Sequence, residues 1–537
     1  MRTSSSCLAL AISLLALSEP AHAADHNRHH ARPNEARVTE QSRQNDELRQ
    51  ELAELRAEVS SLKQALESEH ATQVATNTEV QTLNSEIAAA PATAREQART
   101  EVASAIEKEH HRDAIGYKGI RLQPGGFLEF AGIYRQHYQG NDIASSYAIP
   151  FANNRAAHTS EGRFTARQSR LSLLAQGKAS DNVTLSMYGE FDFLGGAQTA
   201  NSNESNSYNP RIRNIYGTVD WNQGGHGWHL LAGQNWSLLT LSNKGISPRN
   251  EQMPPQIDAQ YIPGFNWARQ PQLRLTGDFL DHRLWIAVSA ENPATTFGGA
   301  APSTVTNLAP AGSGFDAANS LSLNHMPDFV GKIAYEGMLG GRSVHLEGFA
   351  LSRTFTAHLN GAANVNKGGY GFGGGVILQA VPKLIDLQIS GMVGRGIGRY
   401  GSAQLPDVAF AADGSIHPIH EYMLLGGATL HATKKLDLYL FAGEEVERSE
   451  RLGTYGIGLT SANNSGCSFE AGTCAGNTRR VAQITGGLWQ KIYNGSFGRA
   501  QVGVQYSHTE RDLFEGIGGA PTASQNMGFL SLRYYPF

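Results

Sequence analysis

The sequence predicts an all-β transmembrane barrel of about 16 antiparallel strands, preceded by an N-terminal α-helical coiled coil. Three observations predict it. Residues 116–537 alternate apolar and polar side chains, the connections between predicted strands alternate between long and short, and residues 38–90 carry a heptad repeat. In a membrane barrel, lipid-facing and lumen-facing side chains alternate, with long loops at one end and short turns at the other. The mean hydropathy of −0.34 agrees, since the lumen face is polar.

Residues 1–23 predict a secretory signal peptide. Arg2 supplies the charge, residues 8–17 form the apolar run, and Ala21-His22-Ala23 is the cleavage site. The run is too short to cross a bilayer as a helix, and no later stretch is long and apolar enough. Cys7 suggests a lipoprotein as the minor alternative, but it precedes the apolar run, where a lipid-anchored cysteine would not lie. We therefore expect an exported protein that begins near Ala24.

Residues 24–37 form a polar, His-rich tail, for which a solvated segment is favoured over a metal site. Residues 38–115 predict a periplasmic coiled coil that is interrupted by polar core positions and by Pro91. Its core positions are Leu48, Leu55 and Leu62 at d, and Leu52, Val59 and Leu66 at a. A single amphipathic helix packed on the barrel is the alternative. A coiled coil implies oligomerisation, and we expect a homotrimer.

Residues 116–537 predict the barrel itself. The predicted strands are 126–139, 164–179, 182–194, 211–222, 228–239, 267–277, 282–291, 329–338, 343–356, 370–380, 384–395, 420–432, 436–447, 479–492, 497–513 and 527–537. The third shows the alternation best, with Val183, Leu185 and Met187 on one face and Thr184, Ser186 and Tyr188 on the other. The even strand count returns the C-terminus to the periplasm, on the side of the coiled coil.

Charge and motifs exclude several classes of protein. Residues 1–116 contain 12 Lys and Arg against 18 Asp and Glu, and residues 117–537 contain 32 against 30, which is not the basic balance of a nucleic-acid-binding protein. The Gly-rich stretch 371–375 begins a strand and not a helix, so it is no phosphate loop. His229 and His345 lie on strands without a Ser-centred motif. We expect no enzyme activity, no cofactor and no metal.

Cys467 and Cys474 are the two cysteines left after removal of the signal peptide. A close pair in an exported chain predicts a disulfide within one loop. A metal site is the alternative, but it lacks further ligands nearby.

The terminal Phe537 predicts recognition by the barrel-assembly machinery. Counting back in steps of two gives Arg533 and Ser531, so the signal is imperfect. The other face of the last strand is more apolar and contains Leu530, Leu532 and Tyr534.

Three stretches carry a family resemblance. Residues 163–177 (RFTARQSRLSLLAQG), 210–217 (PRIRNIYG) and 231–237 (LAGQNWS, followed by PQLRLT at 271–276) resemble, in order and spacing, phosphate-selective (O/P) and DcaP-like porins. The resemblance covers most of the mature chain and implies a trimeric sixteen-stranded channel that favours anions, dicarboxylates in the DcaP case. Asn214 departs from the pattern, which has His there.

Selectivity in such a channel depends on fixed charges at its narrow part. Arg170, Arg274, Arg283 and Lys332 are predicted to face the lumen because their neighbours Leu171, Leu273, Leu284 and Ile333 face lipid. Arg211 and Arg213 share one face, which the alternation does not identify. Arginine suits carboxylates because its planar fork binds both oxygens. Rim charges or subunit contacts are the alternative for each, and inward Glu190 and Asp192 make the lumen mixed.

The long loops 240–266 and 292–328 are candidates for an infolded constriction loop, with an ordinary extracellular loop as the alternative. The function that follows is passive diffusion of small hydrophilic solutes, with a preference for anions such as dicarboxylates or phosphate. The expected location is the outer membrane of a Gram-negative bacterium, and the expected partners are outer-membrane lipid, small anionic solutes and two further copies of the chain. A structural tether that links the barrel to the cell wall through the coiled coil is the main alternative. A lipid-modifying enzyme is a minor one.

Overall fold

The computed structural model describes residues 114–195, 209–306, 324–362 and 364–537. The predicted signal peptide, His-rich tail and coiled coil up to residue 113 lie outside them. Within the described residues, no helix is long and apolar enough to cross a membrane.

Sixteen long strands follow one another in these residues. They are β1 Ile120–Arg135, β2 Arg170–Ser180, β3 Val183–Asp192, β4 Arg211–Asn222, β5 Gly227–Trp236, β6 Arg269–Phe279, β7 Leu284–Glu291, β8 Asp328–Leu339, β9 Arg342–Leu359, β10 Asn364–Val381, β11 Ile385–Arg395, β12 His420–His431, β13 Leu436–Glu447, β14 Thr478–Gly495, β15 Gly498–Leu513 and β16 Thr522–Tyr535. Each overlaps the predicted strand of the same order, so the predicted strand number is confirmed.

The strands form a closed antiparallel barrel. Each pairs with its neighbours in sequence, and β1 pairs with β16 from Leu128↔Tyr534 to Arg135↔Met527. Closure removes the open edges that a twisted sheet would otherwise expose. Odd strands run toward the end with long loops, and even strands return to the end with short turns, as predicted.

The outer surface of the barrel is an apolar belt. Exposed outward-facing side chains include Leu171, Leu185, Met187, Leu273, Val288, Ile333, Ile389, Leu424, Leu440 and Val504. Exposed aromatic rings border the belt at the loop end (Tyr134, Phe164, Tyr370, Tyr422) and at the turn end (Trp221, Trp228, Tyr335, Tyr493, Tyr534). An apolar belt between two aromatic girdles is the surface of a membrane-spanning barrel.

The predicted second strand, 164–179, is wrong at its start. Residues 161–165 pair with the upper half of β1, whereas β2 begins at Arg170 and pairs with the lower half. Gly126 lies where the two pairings meet, with φ of +124°. A Cβ there would overlap the carbonyl oxygen of Arg170, so only glycine allows this approach. The strand is therefore split between two partners, which alternation alone does not reveal.

The long loops at one end carry small structures of their own. Val408–Phe410 pairs with Ile416–Pro418, and Glu450–Leu452 pairs with Tyr455–Ile457. Cys467 and Cys474 form a disulfide with an S–S distance of 2.00 Å in the connection between β13 and β14.

Candidate functional site: an arginine cluster beside an infolded loop

The connection between β5 and β6, residues 237–268, lies inside the barrel, and we call it the constriction loop. Its buried large apolar side chains are Leu238, Leu239, Leu241, Ile246, Ile257, Ile262, Phe265 and Trp267. An extracellular loop would expose such side chains to water, which is unfavourable by roughly 1.5–3 kcal/mol for each one. Their number therefore explains why this loop folds into the lumen.

Carboxylates of the nearby wall hold the first half of the constriction loop. Its backbone N–H groups donate to Glu291 of β7 from Leu238 (2.8 Å) and to Glu347 of β9 from Ser242 (3.0 Å). A third N–H, of Gly245, donates to Glu336 of β8 at 2.6 Å. Hydrogen bonds to charged acceptors are stronger than neutral ones, so this half is firmly attached to one wall.

The second half of the constriction loop is bound to the opposite wall. The N–H of Ile257 donates to Gln505 of β15 at 2.5 Å, and the indole of Trp489 on β14 donates to the oxygen of Pro255 at 2.7 Å. The N–H of Gly264 donates to Glu445 of β13 at 2.8 Å. The loop thus crosses the lumen. Of the two candidate loops, 240–266 lies inside the barrel, whereas residues 307–323 of loop 292–328 lie outside the described residues.

Four arginines, Arg170, Arg211, Arg213 and Arg269, lie beside the constriction loop, and we call them the arginine cluster. Arg211 binds both oxygens of Asp192, at 3.0 and 2.7 Å. Arg213 donates to Glu190 at 2.6 Å and to Asp192 at 3.0 Å. The cluster therefore contains four guanidinium groups and two carboxylates, an excess of positive charge at the narrowed part of the lumen.

A β-bulge settles which way Arg211 and Arg213 face. The pairing of β3 with β4 shifts between Glu190↔Asn214 and Phe191↔Ile212. As a result Arg213 and Asn214 are both buried, although they are adjacent in sequence. Asn214, where the family pattern has His, is thereby buried beside Arg213.

Aromatic rings of the loop and of its root contact the cluster. The guanidinium carbons of Arg269 and Arg213 lie 5.0 and 6.0 Å from the ring centre of Trp236. Burial raises the pKa of the Tyr261 hydroxyl, but the positive charges of Arg213, Arg170 and Arg269 outweigh burial and hold that pKa below its ordinary value. The phenol of Tyr261 therefore lies in a strongly positive potential.

A second set of arginines continues along the inner wall toward the turn end. The guanidinium of Arg170 lies 5.3 Å from the ring centre of Phe127, and that of Arg533 lies 4.8 Å from the same ring. Arg533 also lies 4.6 Å from the ring centre of Trp489 and donates to Glu129 at 2.9 Å. Arg499 lies 4.2 Å from the ring centre of Tyr535. Cation–π contacts of this kind hold guanidinium groups in place.

Sequence reasoning missed Arg269, Arg499 and Arg533 as lumen residues. For Arg533 the signal was present, because Leu532 and Tyr534 are exposed on the lipid face and Arg533 must then face inward. For Arg269 there was no signal. β4 and β5 stop pairing at Ile215↔Gln234. Beyond that point the two strands separate and Arg269 approaches Arg213, which the alternation of side chains along a single strand does not describe.

Two predicted channel residues, Arg274 and Lys332, hold the constriction loop. Arg274 is buried and donates to the oxygen of Trp236 at 2.6 Å and to Gln272 at 3.0 Å. Lys332 is buried, lies 2.6 Å from a carboxylate oxygen of Glu347 and donates to the oxygen of Thr240 at 2.7 Å. Both side chains face inward, but their hydrogen-bonding groups are already bound to the constriction loop and to neighbouring residues of the wall.

Arg283, which we predicted to face the lumen from a strand, lies outside the strands. β7 begins at Leu284, and Arg283 is an exposed residue of the turn that precedes it. Residues 280, 281 and 282 all have positive φ, between +54° and +62°. This left-handed turn ends the strand alternation before Arg283, so its side chain follows the turn and not the strand.

The two histidines considered for catalysis bind carboxylates through both ring nitrogens. His229 contacts Asp220 and Asp278 at 2.8 and 2.7 Å, and His345 contacts Glu336 and Glu347 at 2.6 and 3.1 Å. Within the described ranges, no group of three or more His, Cys, Asp or Glu could hold a metal ion.

The fold and the site together define a class: a closed sixteen-stranded membrane barrel narrowed by an infolded loop. The outer membrane channel DcaP of Acinetobacter baumannii has a similar structure, with a TM-score of 0.56, 19% sequence identity, and coverage of 78% of this chain and 99% of that chain. The resemblance to DcaP-like porins that the three motifs carry is thus confirmed at the level of the fold.

Two further solved structures match with lower TM-scores. An anion-selective porin from Comamonas acidovorans gives a TM-score of 0.41 at 11% identity and covers 78% of this chain and 99% of that one. OprB of Pseudomonas putida gives 0.43 at 8% identity and covers 77% and 94%. No family model matches the chain, and no curated protein matches it.

Proposed function

We propose that this chain is a porin, a passive diffusion channel for small hydrophilic solutes that prefers anions such as dicarboxylates or phosphate. The observation that carries the proposal is the arginine cluster, in which four guanidinium groups lie with two carboxylates at one side of the constriction loop. A charged constriction selects solutes by sign, since interactions across a narrow, partly dehydrated passage are weakly screened.

Arg170 and Arg269 are the residues best suited to contact a passing anion. Among the described residues no carboxylate forms an ion pair with Arg170 or Arg269, and their guanidinium groups lie over the rings of Phe127 and Trp236. A guanidinium group with unused N–H groups binds carboxylate or phosphate oxygens through two parallel hydrogen bonds. Arg211 and Arg213, which are already bound to Asp192 and Glu190, contribute mainly by positioning and by charge.

The proposal includes a location and an assembly. The apolar belt and the loop asymmetry support an outer-membrane barrel with its short turns in the periplasm, where residues 38–115 would form the trimeric coiled coil. The cell that makes it would then be Gram-negative.

Conductance of the full-length protein in a planar bilayer tests this function. We expect open channels that close in three steps and a reversal potential in a salt gradient that reports anion preference. Arg170→Gln should lower the anion-to-cation permeability ratio by about two-fold or more, as expected for the loss of one constriction charge. Arg283→Gln is the matched control, because it removes the same charge from the exposed turn and should leave the ratio unchanged.

Three results would contradict the proposal. Absence of conductance would favour the tether. Cation preference in the wild type would reject the role of the arginine cluster. An equal effect of the Arg170 and Arg283 substitutions would assign selectivity to overall charge and not to the constriction.

A further inference from the structure

The outer face of the barrel has a groove of ≈ 540 Å³ across β11 to β15. Its lower part is apolar and shallow-walled, and its upper part is charged. Apolar and small residues along it are Ile389, Leu424, Gly426, Ala442, Ala482 and Ile484, and polar ones are Glu444, Arg480, His508 and Glu510. Small side chains on the floor between Ile389, Leu424 and Ile484 form the depression.

The charged part lies at the loop end of the membrane span. Glu444 is three residues from the end of β13, Arg480 two residues from the start of β14, and Glu510 three residues from the end of β15. With a rise of about 3.3 Å per residue, these groups lie within about 10 Å of the strand ends. The apolar part, at Ile389 and Gly426, lies at the middle of its strands.

A β-bulge places two arginines side by side here. The pairing of β14 with β15 shifts between Thr478↔Leu513 and Arg480↔Asp512, so Arg479 is the additional residue. Both arginines contact Asp512, Arg480 at 3.1 Å and Arg479 at 3.6 Å. Without the bulge, successive residues of a strand would point to opposite faces.

Arg480 is fixed by neighbouring carboxylates. It lies 2.8 Å from Glu444 and 3.3 Å from Glu510, and the hydroxyl of Tyr422 donates to Glu444 at 3.1 Å. Arg479 is held less tightly, and its side chain is 44% exposed, as is that of Glu510 at 43%. A guanidinium group and a carboxylate are thus presented together to the membrane surface.

We propose that this groove binds a phosphorylated glycolipid of the outer leaflet. One acyl chain lies in the apolar part, and a headgroup phosphate binds the 44% exposed Arg479, since a planar guanidinium group matches phosphate oxygens. Arg480, which its carboxylates hold in place, adds positive charge beside that phosphate. The exposed oxygen of Glu510 can share a divalent cation with the same phosphate, because such cations commonly join carboxylates to phosphates.

The position of the charges favours a lipid over a second copy of the chain. The charged side chains of Glu444, Arg480 and Glu510 lie near the level of the headgroups, and the apolar depression extends from them toward the membrane centre, which matches one amphiphile oriented along the membrane normal. The inference uses the membrane orientation proposed above, but it does not require conduction.

Native mass spectrometry of the full-length protein, delipidated in detergent and titrated with lipid A, tests the inference. We expect lipid A to bind the wild type and phosphatidylethanolamine to bind at least about ten-fold more weakly, a difference of about 1.4 kcal/mol. Arg479→Ala combined with Arg480→Ala should weaken lipid A about ten-fold, and Ala442→Phe should do the same by filling the groove. Ala232→Phe, an exposed outward position on β5, is the matched control and should bind normally.

Heat-dependent gel mobility identifies any variant that does not fold, and Arg479→Ala alone, which leaves the Arg480 contacts intact, then replaces the double variant. Several results would overturn the inference: no binding of lipid A to the wild type, unchanged binding in folded arginine variants, or equally tight phosphatidylglycerol. Loss of oligomers by Ala442→Phe with normal lipid binding would instead make the groove a subunit contact. A protein that binds lipid A and does not conduct would reject the porin function alone.

Discussion

Arg274 on the barrel wall donates a 2.6 Å hydrogen bond to the main-chain oxygen of Trp236, the residue at which β5 ends and the constriction loop begins. The side chain that alternation assigns to the lumen therefore fixes the root of the loop. Residues that shape the channel are therefore distinct from residues that contact the solute.

Arg274→Ala should loosen the root of the constriction loop. It leaves the oxygen of Trp236 and the side chain of Gln272 without their charged partner, at a cost of roughly 1.5–3 kcal/mol. We expect larger open-channel current fluctuations and more frequent closures in single-channel recordings, with little change in ion selectivity. A large loss of anion preference with quiet channels would instead show that Arg274 contacts solutes.

Lys332 and Glu347 form a buried ion pair that can be examined by a double-mutant cycle. Lys332→Met leaves a buried carboxylate without its main cation, and we expect the barrel to be destabilised by about 3–5 kcal/mol. The double variant with Glu347→Gln should recover part of this loss, because the glutamine oxygen can still accept from the N–H of Ser242. Thermal unfolding followed by gel mobility measures both, and additive effects would contradict the pairing.

Raising the pH should weaken anion selectivity through Tyr261. The neighbouring arginines lower the pKa of its hydroxyl, so the phenolate forms at a lower pH than in a free tyrosine. Each phenolate adds a negative charge to the arginine cluster, and the anion-to-cation permeability ratio should therefore fall as the pH rises from neutrality toward the ordinary tyrosine pKa of about 10. Tyr261→Phe should remove this alkaline decrease and leave the ratio at neutral pH unchanged. A Tyr261→Phe channel with the same alkaline decrease would assign it to another group.

Gly264→Ala should displace the second half of the constriction loop. Gly264 has φ of +87°, and a Cβ there would overlap the carbonyl oxygen of Leu424. The N–H of Gly264 would then separate from Glu445, and the loop should move away from the β12–β13 wall. We expect altered unit conductance and faster proteolysis of the loop. Gly331→Ala is the control, since nothing lies within 4 Å of a Cβ at that position.

Alternation along the strands was sufficient to predict the barrel because the lipid face and the lumen face impose opposite chemistry on successive residues. Leu171 and Leu173 illustrate this, since both are exposed on the outer face, whereas Arg170, which directly precedes Leu171, faces inward. The last strand was predicted equally well. The apolar face of Leu530, Leu532 and Tyr534 is the lipid face, and the polar residue that weakened the assembly signal, Arg533, is an inner-wall arginine.

The same rule failed where the backbone departs from a regular strand. The turn at residues 280–282 places Arg283 before the start of β7, and the bulge at Arg213 turned two adjacent residues inward. A second bulge placed Arg479 beside Arg480 on the outer face. One additional residue shifts the alternation of side chains along a strand, and no composition signal marks such a position.

The sequence by itself determined the barrel, its sixteen strands and some of its inward-facing charges, because each depends on a period-two pattern and on connection lengths that are local properties of the chain. Only the tertiary structure decided what those charges do. Arg170 and Arg269 lie over aromatic rings with no carboxylate partner among the described residues, whereas Arg274 and Lys332 bind the constriction loop, and Arg211 and Arg213 bind carboxylates. The physical reason is that a guanidinium or ammonium group acts on a solute only with hydrogen-bonding groups left unused by the protein. The protein groups that bind each guanidinium or ammonium group come from strands and loops far away in sequence, so only the tertiary structure identifies them.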